Sequence, residues 1–382
     1  MRTPRIVFVT RKFPPSHGGM ETAAYELSAA LASQTDTEIV AFGWGRRWAP
    51  LAIPLLFVRG WARTVRRRGE VIVMQDGVLA PTGVLLGRFT GRPVVVIVHG
   101  LEITHPARLH QRLMRWSLPR VDRLIAVSEN TRVLIEEHYP GTEPMVVRNG
   151  VTDSFGSARR REEDRRLLAR LAGLDGLRLE AAMLLVTVGR LVPRKGVAWF
   201  VDQVMPLLRA GPGPDVVYLV IGTGAERDRI ETVVAARGLG DAVRLLGEVS
   251  PDELRSAYTA ADLFVMPNLA IPGDIEGFGL VAVEASSTGT AVVAAAADGI
   301  PEAVRPSGNG VLVPPGDAAA FAQAIRAAQD APADRKRVRA FTLAEFSWTA
   351  AAERLQEAAA ELLAERRAAQ TRSRRMRSSS RP

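Results

Sequence analysis

The sequence predicts an α/β protein of two doubly wound domains, each a parallel sheet covered by helices on both faces. Three observations carry that expectation. Short β-rich runs alternate with longer helical patterns through most of the 382 residues. The strand runs are apolar throughout, as strands buried on both faces must be. The alternation stops after Asn149-Gly150 and restarts near Met183, across a charged stretch with no strand signal. Hydrophobic residues at 47% and charged residues at 24% suit globular domains with real cores, and exclude a disordered or collagen-like chain.

In chain order, Arg5–Thr10 reads as a buried strand and Glu21–Ser33 as the helix after it. Glu38–Phe42, Val71–Met74, Pro93–Val98, Arg123–Val127 and Met145–Val147 read as further strands of a first domain over residues 1–156. Residues 157–180 are highly charged with mixed signs and suit a linker or surface helix. A second domain over 181–345 has strands at Met183–Val188, Val216–Ile221, Val243–Leu246, Leu263–Met266 and Ala291–Ala294. Its helices fall at Val197–Arg209, Glu226–Arg237, Pro251–Ala260 and Leu280–Ser287. Residues 346–365 form a helix too far along to belong to the second sheet, and are expected to cross back to the first domain. Ligands of open α/β sheets sit at the carboxyl ends of strands, so the cleft between two such domains is the expected site.

Composition narrows the function. With no cysteine, neither a disulfide framework nor a thiolate site is possible. The longest apolar run, Trp48–Val58, is eleven residues with two prolines, whereas a spanning helix needs about 20. The N-terminus leads straight into a strand pattern without the features of a secretory signal, so a cytoplasmic location is expected. The net charge of +9 is concentrated: residues 366–382 carry seven arginines and no acid, leaving +2 for the rest. That stretch of Arg, Ser and Thr is expected to be a disordered basic tail. Only Lys12, Lys195 and Lys336 are lysines, against 47 arginines.

The motifs lie just after strands. Glu276-Gly-Phe-Gly-Leu-Val-Ala-Val-Glu284 sets two carboxylates around a glycine turn that opens a helix. Such glycines admit a ligand close to the backbone, and the free amides of the first turn favour an anion. An N-terminal acid satisfying the helix dipole plus an exposed helical Glu is the plainer alternative. Arg190 and Lys195, after the Met183–Val188 strand, could converge on phosphate or form a solvated basic turn. Gly18-Gly19 and Gly222-Thr-Gly224 also follow strands, where they permit backbone contact with a ligand or simply make tight turns. Gly222-Thr-Gly224 lacks the third glycine of the dinucleotide fingerprint. His99 ends the Val94–Val98 run and could bind substrate hydroxyls, assist proton movement or be structural. His17, His105, His110 and His138 lack metal-ligand spacing, and no Asp-x-Asp, Walker A or His-Glu-x-x-His occurs.

Together these pieces resemble retaining glycosyltransferases of family 4. The match is carried by Gly18-Gly-Met-Glu21, His99-Gly, Val127-Ser-Glu129, Arg148-Asn-Gly-Val151, Gly189-Arg-Leu with Lys195-Gly, Leu245-Leu-Gly247 and Ala260-Ala-Asp262. The Glu276-to-Glu284 segment, Gly310-Val-Leu-Val-Pro-Pro-Gly-Asp317 and Phe346-Ser-Trp348 extend it to about residue 365. The resemblance implies the GT-B architecture, two Rossmann-like domains facing across a cleft with the C-terminal helix crossing back. It further implies that the second domain binds a nucleoside-diphosphate sugar, with Arg190 and Lys195 on the diphosphate and Glu284 on the ribose. Glu276 and the Gly277–Gly279 backbone would take the sugar, while Gly222, Phe278 and Leu280 complete the donor-binding set. Gly18 and Gly19 would close over the donor phosphates, with His99 beside the transferred sugar. Retention, no cofactor and no obligatory metal are expected. Leu191-Val-Pro-Arg-Lys-Gly196 and the loop Pro267–Ile275 look most like mannosyltransferases acting on phosphatidylinositol or related lipids. A lipid, lipid-linked glycan or polysaccharide acceptor is therefore expected.

Two other classes compete. A GT-B-like sugar-nucleotide epimerase would use the same donor site without an acceptor, and product analysis separates the two. A nucleic-acid-binding protein would need a folded basic face with interleaved aromatics, whereas the excess charge lies in the tail. One segment stays open. Trp44–Glu70 holds Arg46, Arg47, Arg59, Arg63, Arg66, Arg67 and Arg68, one acid, and Trp44, Trp48 and Trp61 around Leu51–Val58. It suits either an anionic membrane surface or a helix packed in the first domain. Pro50 and Pro54 predict a broken helix or loop there.

Overall fold

The computed structural model describes residues 3–16, 18–43, 49–153, 161–211 and 213–379. The chain divides into two compact units, Met1–Gly150 with Trp348–Pro382, and Val151–Ser347. In the first, β1 (Ile6–Thr10), α1 (Gly19–Gln34), β2 (Thr37–Ala41), α2 (Ala49–Arg66), β3 (Val71–Met74) and α3 (Ala80–Thr90) come in order. They are followed by β4 (Val94–Val98), α4 (Leu101–Thr104), α5 (Arg108–Ser117), β5 (Arg123–Ala126), α6 (Glu129–His138) and β6 (Met145–Val146). The second unit opens with α7 (Arg161–Ala172), α8 (Gly176–Ala181) and β7 (Met183–Val188). Helices α9 (Val197–Trp199) and α10 (Met205–Ala210) flank a π-helical turn, and β8 (Val216–Ile221), α11 (Arg227–Ala236) and β9 (Val243–Gly247) follow. Next come α12 (Pro251–Ala260), β10 (Leu263–Met266), α13 (Leu280–Ser287), β11 (Ala291–Ala295), α14 (Ile300–Ala303) and β12 (Gly310–Val313). Helices α15 (Ala318–Asp330) and α16 (Arg335–Glu345) close the unit, and α17 (Trp348–Ser379) belongs to the first.

Each unit holds a six-stranded sheet in which every pairing is parallel, ordered β2-β1-β3-β4-β5-β6 and β12-β11-β10-β7-β8-β9. Strands β1, β3, β4, β8 and β10 are buried end to end, which explains their unbroken apolar runs. The strand order reverses between β1 and β3 in one sheet and between β7 and β10 in the other. Those reversals fix where a crevice opens beyond the carboxyl ends of the strands.

Polar caps set the helix starts. Ser128 accepts from the Thr131 amide at α6, Ser250 and Glu253 form a reciprocal capping box at α12, and Asp317 and Asp334 cap α15 and α16. The charged 157–180 region is not a free linker where it is described. Arg165 of α7 is buried, paired with Asp262 and donating to the carbonyls of Ala260, Leu179 and Glu180.

Two expectations are corrected. Residues 49–66 form one helix despite Pro50 and Pro54. Pro50 sits in the first turn, where no amide hydrogen bond is lost. Pro54 is tolerated because Ala52, Leu56, Gly60 and Thr64, four residues apart, bury a continuous stripe. Trp44, Arg46, Arg47 and Trp48 lie outside the described residues. The expected disordered tail is also replaced: α17 runs to Ser379. Ala, Gln, Arg and Met are good helix formers, and no proline interrupts residues 348–381. Among the described residues no helix is long and apolar enough to cross a membrane.

Helix α17 completes the first unit. Its residues Trp348, Ala352, Leu355, Ala359 and Leu362 are buried, and the helix packs along α1. Arg366 reaches the Gly91 carbonyl at 3.1 Å and pairs with Asp122. Trp348 meets Leu27, Ile125, Val127 and Val147 around a small void. Trp348→Ala is expected to cost about 3–5 kcal/mol, the usual loss for emptying a buried aromatic site, read as a shift in urea-unfolding midpoint.

Candidate functional site

In the second unit the chemistry gathers at the β7/β10 reversal. The turn after β7 carries Arg194 and Lys195, and the loop after β10 carries Asn268, Asp274 and Glu276. Lys195 Nζ lies 2.6 Å from Glu276 Oε2, with Arg194 Nε 3.5 Å from the same oxygen. Arg194 also pairs with Asp274 at 3.1 Å, and Asn268 donates to Glu276 at 3.3 Å. Arg194, Lys195 and Asn268 are buried. The backbone locks the two loops together: Leu269 N donates to Arg194 O at 2.9 Å. Gly196 has φ +65°, and a Cβ there would fall 1.9 Å from the Pro267 carbonyl oxygen, so only glycine lets the loops approach this closely.

Glu276 is gripped from the other side by the Asp298-Gly299 turn. Its amide donates to Asp298 Oδ2 at 2.9 Å, and its carbonyl accepts from Gly299 N at 3.0 Å. Burial pushes the Glu276 carboxyl up, but Lys195 and Arg194 outweigh burial and hold it below its ordinary value. Burial raises the Asp298 carboxyl above its ordinary range. Arg190 is exposed, so the basic side chain brought to Glu276 beside Lys195 is Arg194.

Glu284 occupies the second turn of α13, buried, and accepts from Tyr258 Oη at 2.8 Å. It is not the exposed helical Glu of the plainer alternative. Gly279 caps α13 with φ 97°, Leu280 is its first residue, and Phe278 packs edge-on to Phe346 at 6.1 Å. The turn Gly277–Gly279 thus directs the opening amides of α13 towards the Glu276 loop's end of the sheet. Gly222 has a structural reason of its own. With φ +125°, a Cβ would lie 2.0 Å from the Gly189 carbonyl oxygen, so the β8 end packs directly on the β7 turn.

The first unit carries a second cluster, beyond β1, β3 and β4. Lys12 pairs with the buried Glu21 at 2.9 Å in the first turn of α1, which Gly18 and Gly19 open. Arg11 Nε lies 2.9 Å from Asp76 Oδ2, and Asp76 is fully buried; burial raises its carboxyl against the pull of Arg11. His99 Nε2 bonds the Gln75 carbonyl at 2.8 Å. A carbonyl only accepts, so Nε2 donates its hydrogen there. Glu102 Oε1 accepts from the amides of His99 at 2.8 Å and Gly77 at 3.2 Å, fixing the turn that presents the imidazole. Among the described residues no three His, Asp or Glu side chains converge to hold a metal ion.

Residues 17–155 match the family described as Glycosyltransferase Family 4, and residues 182–330 match Glycosyl transferases group 1. A D-inositol 3-phosphate glycosyltransferase of Geodermatophilus obscurus is 37% identical over 217 residues, 54% of this chain and 45% of that protein. D-inositol 3-phosphate glycosyltransferase 1 of Catenulispora acidiphila is 31% identical over 336 residues, covering 80% of this chain and 75% of the relative. The chain belongs to glycosyltransferase family 4. Anabaena HepE, crystallised with UDP-glucose, superposes with a TM-score of 0.72 at 20% identity, covering 94% of this chain and all of that one. The two doubly wound units are thus the GT-B fold, and nothing among these matches supports an epimerase or a nucleic-acid-binding protein.

In this family 4 chain, Lys195, Glu276, Gly277–Leu280 and Glu284 fall on connected elements of one sheet. Arg194, Asn268, Asp298 and Tyr258 escaped sequence reasoning. Asp298-Gly299 is a turn dipeptide after an apolar strand and was a usable signal. Arg194 had no signal of its own, because its burial is a tertiary property. The Lys195–Glu276 pair has a measurable consequence. A carboxyl titrating lower in the folded state stabilises it fully above the ordinary value of 4.5, and the contribution is lost as pH falls through the folded value. Glu276→Gln leaves Lys195 and Arg194 without their shared carboxylate and is expected to cost about 3–5 kcal/mol at pH 7. In urea melts the gap to wild type should narrow below pH 4.5; a pH-independent gap would place the loss elsewhere.

Proposed function

We propose that this protein is a retaining glycosyltransferase that moves a hexosyl group, such as mannosyl, from a nucleoside-diphosphate sugar to a lipid, lipid-linked glycan or polysaccharide acceptor, with no obligatory metal. The observation that carries it is the mostly buried Lys195–Glu276 pair at the β7/β10 reversal, beside the opening turn of α13. The relatives' names and the UDP-glucose bound by the Anabaena structure support a nucleotide-sugar donor and a sugar-transfer reaction.

The chemistry follows from charge. Breaking the bond between the anomeric carbon and the diphosphate oxygen places negative charge on the leaving group. Lys195 and Arg190 supply cations for it, and the first-turn amides of α13 supply donors. Glu284, steadied by Tyr258, takes the ribose hydroxyls. Glu276, engaged by Lys195, orients sugar hydroxyls and is not assigned as a nucleophile. The acceptor hydroxyl attacks on the face the diphosphate leaves and gives its proton to a phosphate oxygen, which conserves the anomeric configuration. In the first unit, His99 Nδ1 accepts from a substrate hydroxyl.

A screen of common nucleoside-diphosphate sugars for acceptor-free hydrolysis identifies the donor. Lys195→Ala is expected to lower turnover roughly a hundredfold or more, the usual effect of removing one preorganised stabiliser, with its circular-dichroism spectrum unchanged. Arg190→Ala should act in the same direction. Transfer by Lys195→Ala at the wild-type rate would remove Lys195 from the mechanism. Activity should survive exhaustive chelation, and NMR of the product should show the donor's anomeric configuration. An inverted product, or activity restored only by a divalent ion, would overturn the scheme.

A further inference from the structure

Residues 49–68, 80–92 and 106–120 contain eleven arginines and no acidic residue. They build α2, α3 and α5, which pack side by side in the first unit, α2 on α3 and α3 on α5. Phe57 of α2 meets Phe89 of α3 edge-on at 5.9 Å, and a Cβ at Gly60 would come within 3.1 Å of Leu86. The inner stripe of α2 is spent on the core. What faces outward is strongly apolar: nine of the fifteen exposed large hydrophobic side chains among the described residues lie on these three helices. Phe89 at 67% and Leu109 at 70% are the most exposed of all, joined by Ile53, Trp61, Leu113 and Trp116. Single exposed apolar residues need no explanation, but a clustered set on adjoining helices does.

We propose that this three-helix face docks on an anionic lipid bilayer. The arginines decide the occupant. Arg59, Arg66, Arg88, Arg108, Arg112 and Arg115 are exposed around the apolar side chains, and with no acid in the same stretches the face carries an uncompensated positive charge that an anionic surface complements. The neighbouring acid Glu38 pairs with Arg63 and Arg67 at 3.1 and 3.2 Å. A second copy of the chain would bring the same cationic face against itself, an arrangement that like charge opposes. Anionic headgroups relieve that repulsion, each nearby Arg strengthening attachment by about fivefold, while Phe, Leu and Trp enter the headgroup–acyl boundary. Charge counting left residues 44–70 open between such a surface and a packed helix; the packing of α3 and α5 beside α2 widens the cationic face. The proposal stands whether the acceptor is a lipid or a soluble sugar.

The test is co-sedimentation of the full-length protein with vesicles of phosphatidylcholine alone and of equal parts phosphatidylcholine and phosphatidylglycerol. Wild type should pellet with the anionic vesicles and not with the neutral ones. Phe89→Ser with Leu109→Ser should weaken partitioning about tenfold or more, with an unchanged thermal melt and unchanged donor hydrolysis. Arg88→Gln with Arg112→Gln should weaken it similarly and flatten its salt dependence. Binding that survives the Phe89/Leu109 substitutions would belong to the arginine-rich end of α17 and overturn the proposal. No binding by wild type would do the same. A dimer in sedimentation velocity that these substitutions dissolve, without vesicle binding, would give the face to a second copy instead.

Discussion

The 2.6 Å contact between Lys195 and Glu276 ties the turn after β7 to the loop after β10, and the site is arranged around it. Two charges sit mostly buried at the point where strand order reverses, and leaving either without the other would be costly. Everything around the pair keeps it in register. Gly196 lets the β7 turn press on the Pro267 carbonyl, Leu269 bonds back to Arg194, and Asp298-Gly299 clamps the Glu276 backbone. Arg194 pins the Asp274 end of the same loop. A mostly buried pair of this kind contributes little net stability compared with apolar packing, but it is costly to break. Its value is positional: it holds a cation and an anion at the carboxyl end of the sheet, where the strand order reverses.

The first unit repeats the principle with different groups. Its cluster also lies beyond a strand-order reversal, and its charges are also paired, Lys12 with Glu21 and Arg11 with Asp76. The difference lies in what is presented. Here the cluster also includes a histidine whose Nε2 donates to the Gln75 carbonyl and whose amide is held by Glu102. The first unit thus presents an imidazole whose turn is held by Glu102, whereas the second presents cations paired to a carboxylate. One topology therefore carries two kinds of polar cluster, decided by the residues that follow each strand.

Much of this was legible because parallel strands buried on both faces leave a simple trace. All eleven strands expected from apolar runs are present, within a residue or so at their ends. Strand β12 was not recognised as a strand, since Gly310–Val313 is a short edge strand with Val311 exposed. The Glu276-to-Glu284 segment was readable because its Gly-Phe-Gly turn marks where a loop ends and a helix opens. The helical state of residues 49–66 was not, because local proline rules were overridden by a buried stripe and by close packing at Gly60. Arg194 and Tyr258 matter through contacts between segments distant in sequence, and no local pattern marks them.

Helix α17 makes the second unit an insertion into the first. The chain leaves the first unit at Gly150 and re-enters it only at Trp348. During synthesis the second unit is therefore complete before the first, reversing the usual N-to-C order of domain folding. Until α17 emerges, the surface of Leu27, Ile125 and Val127 that receives Trp348 and Leu355 remains uncovered. The nascent protein must carry that apolar patch through the translation of about half its length, a window in which chaperone protection of the first unit has a defined physical target.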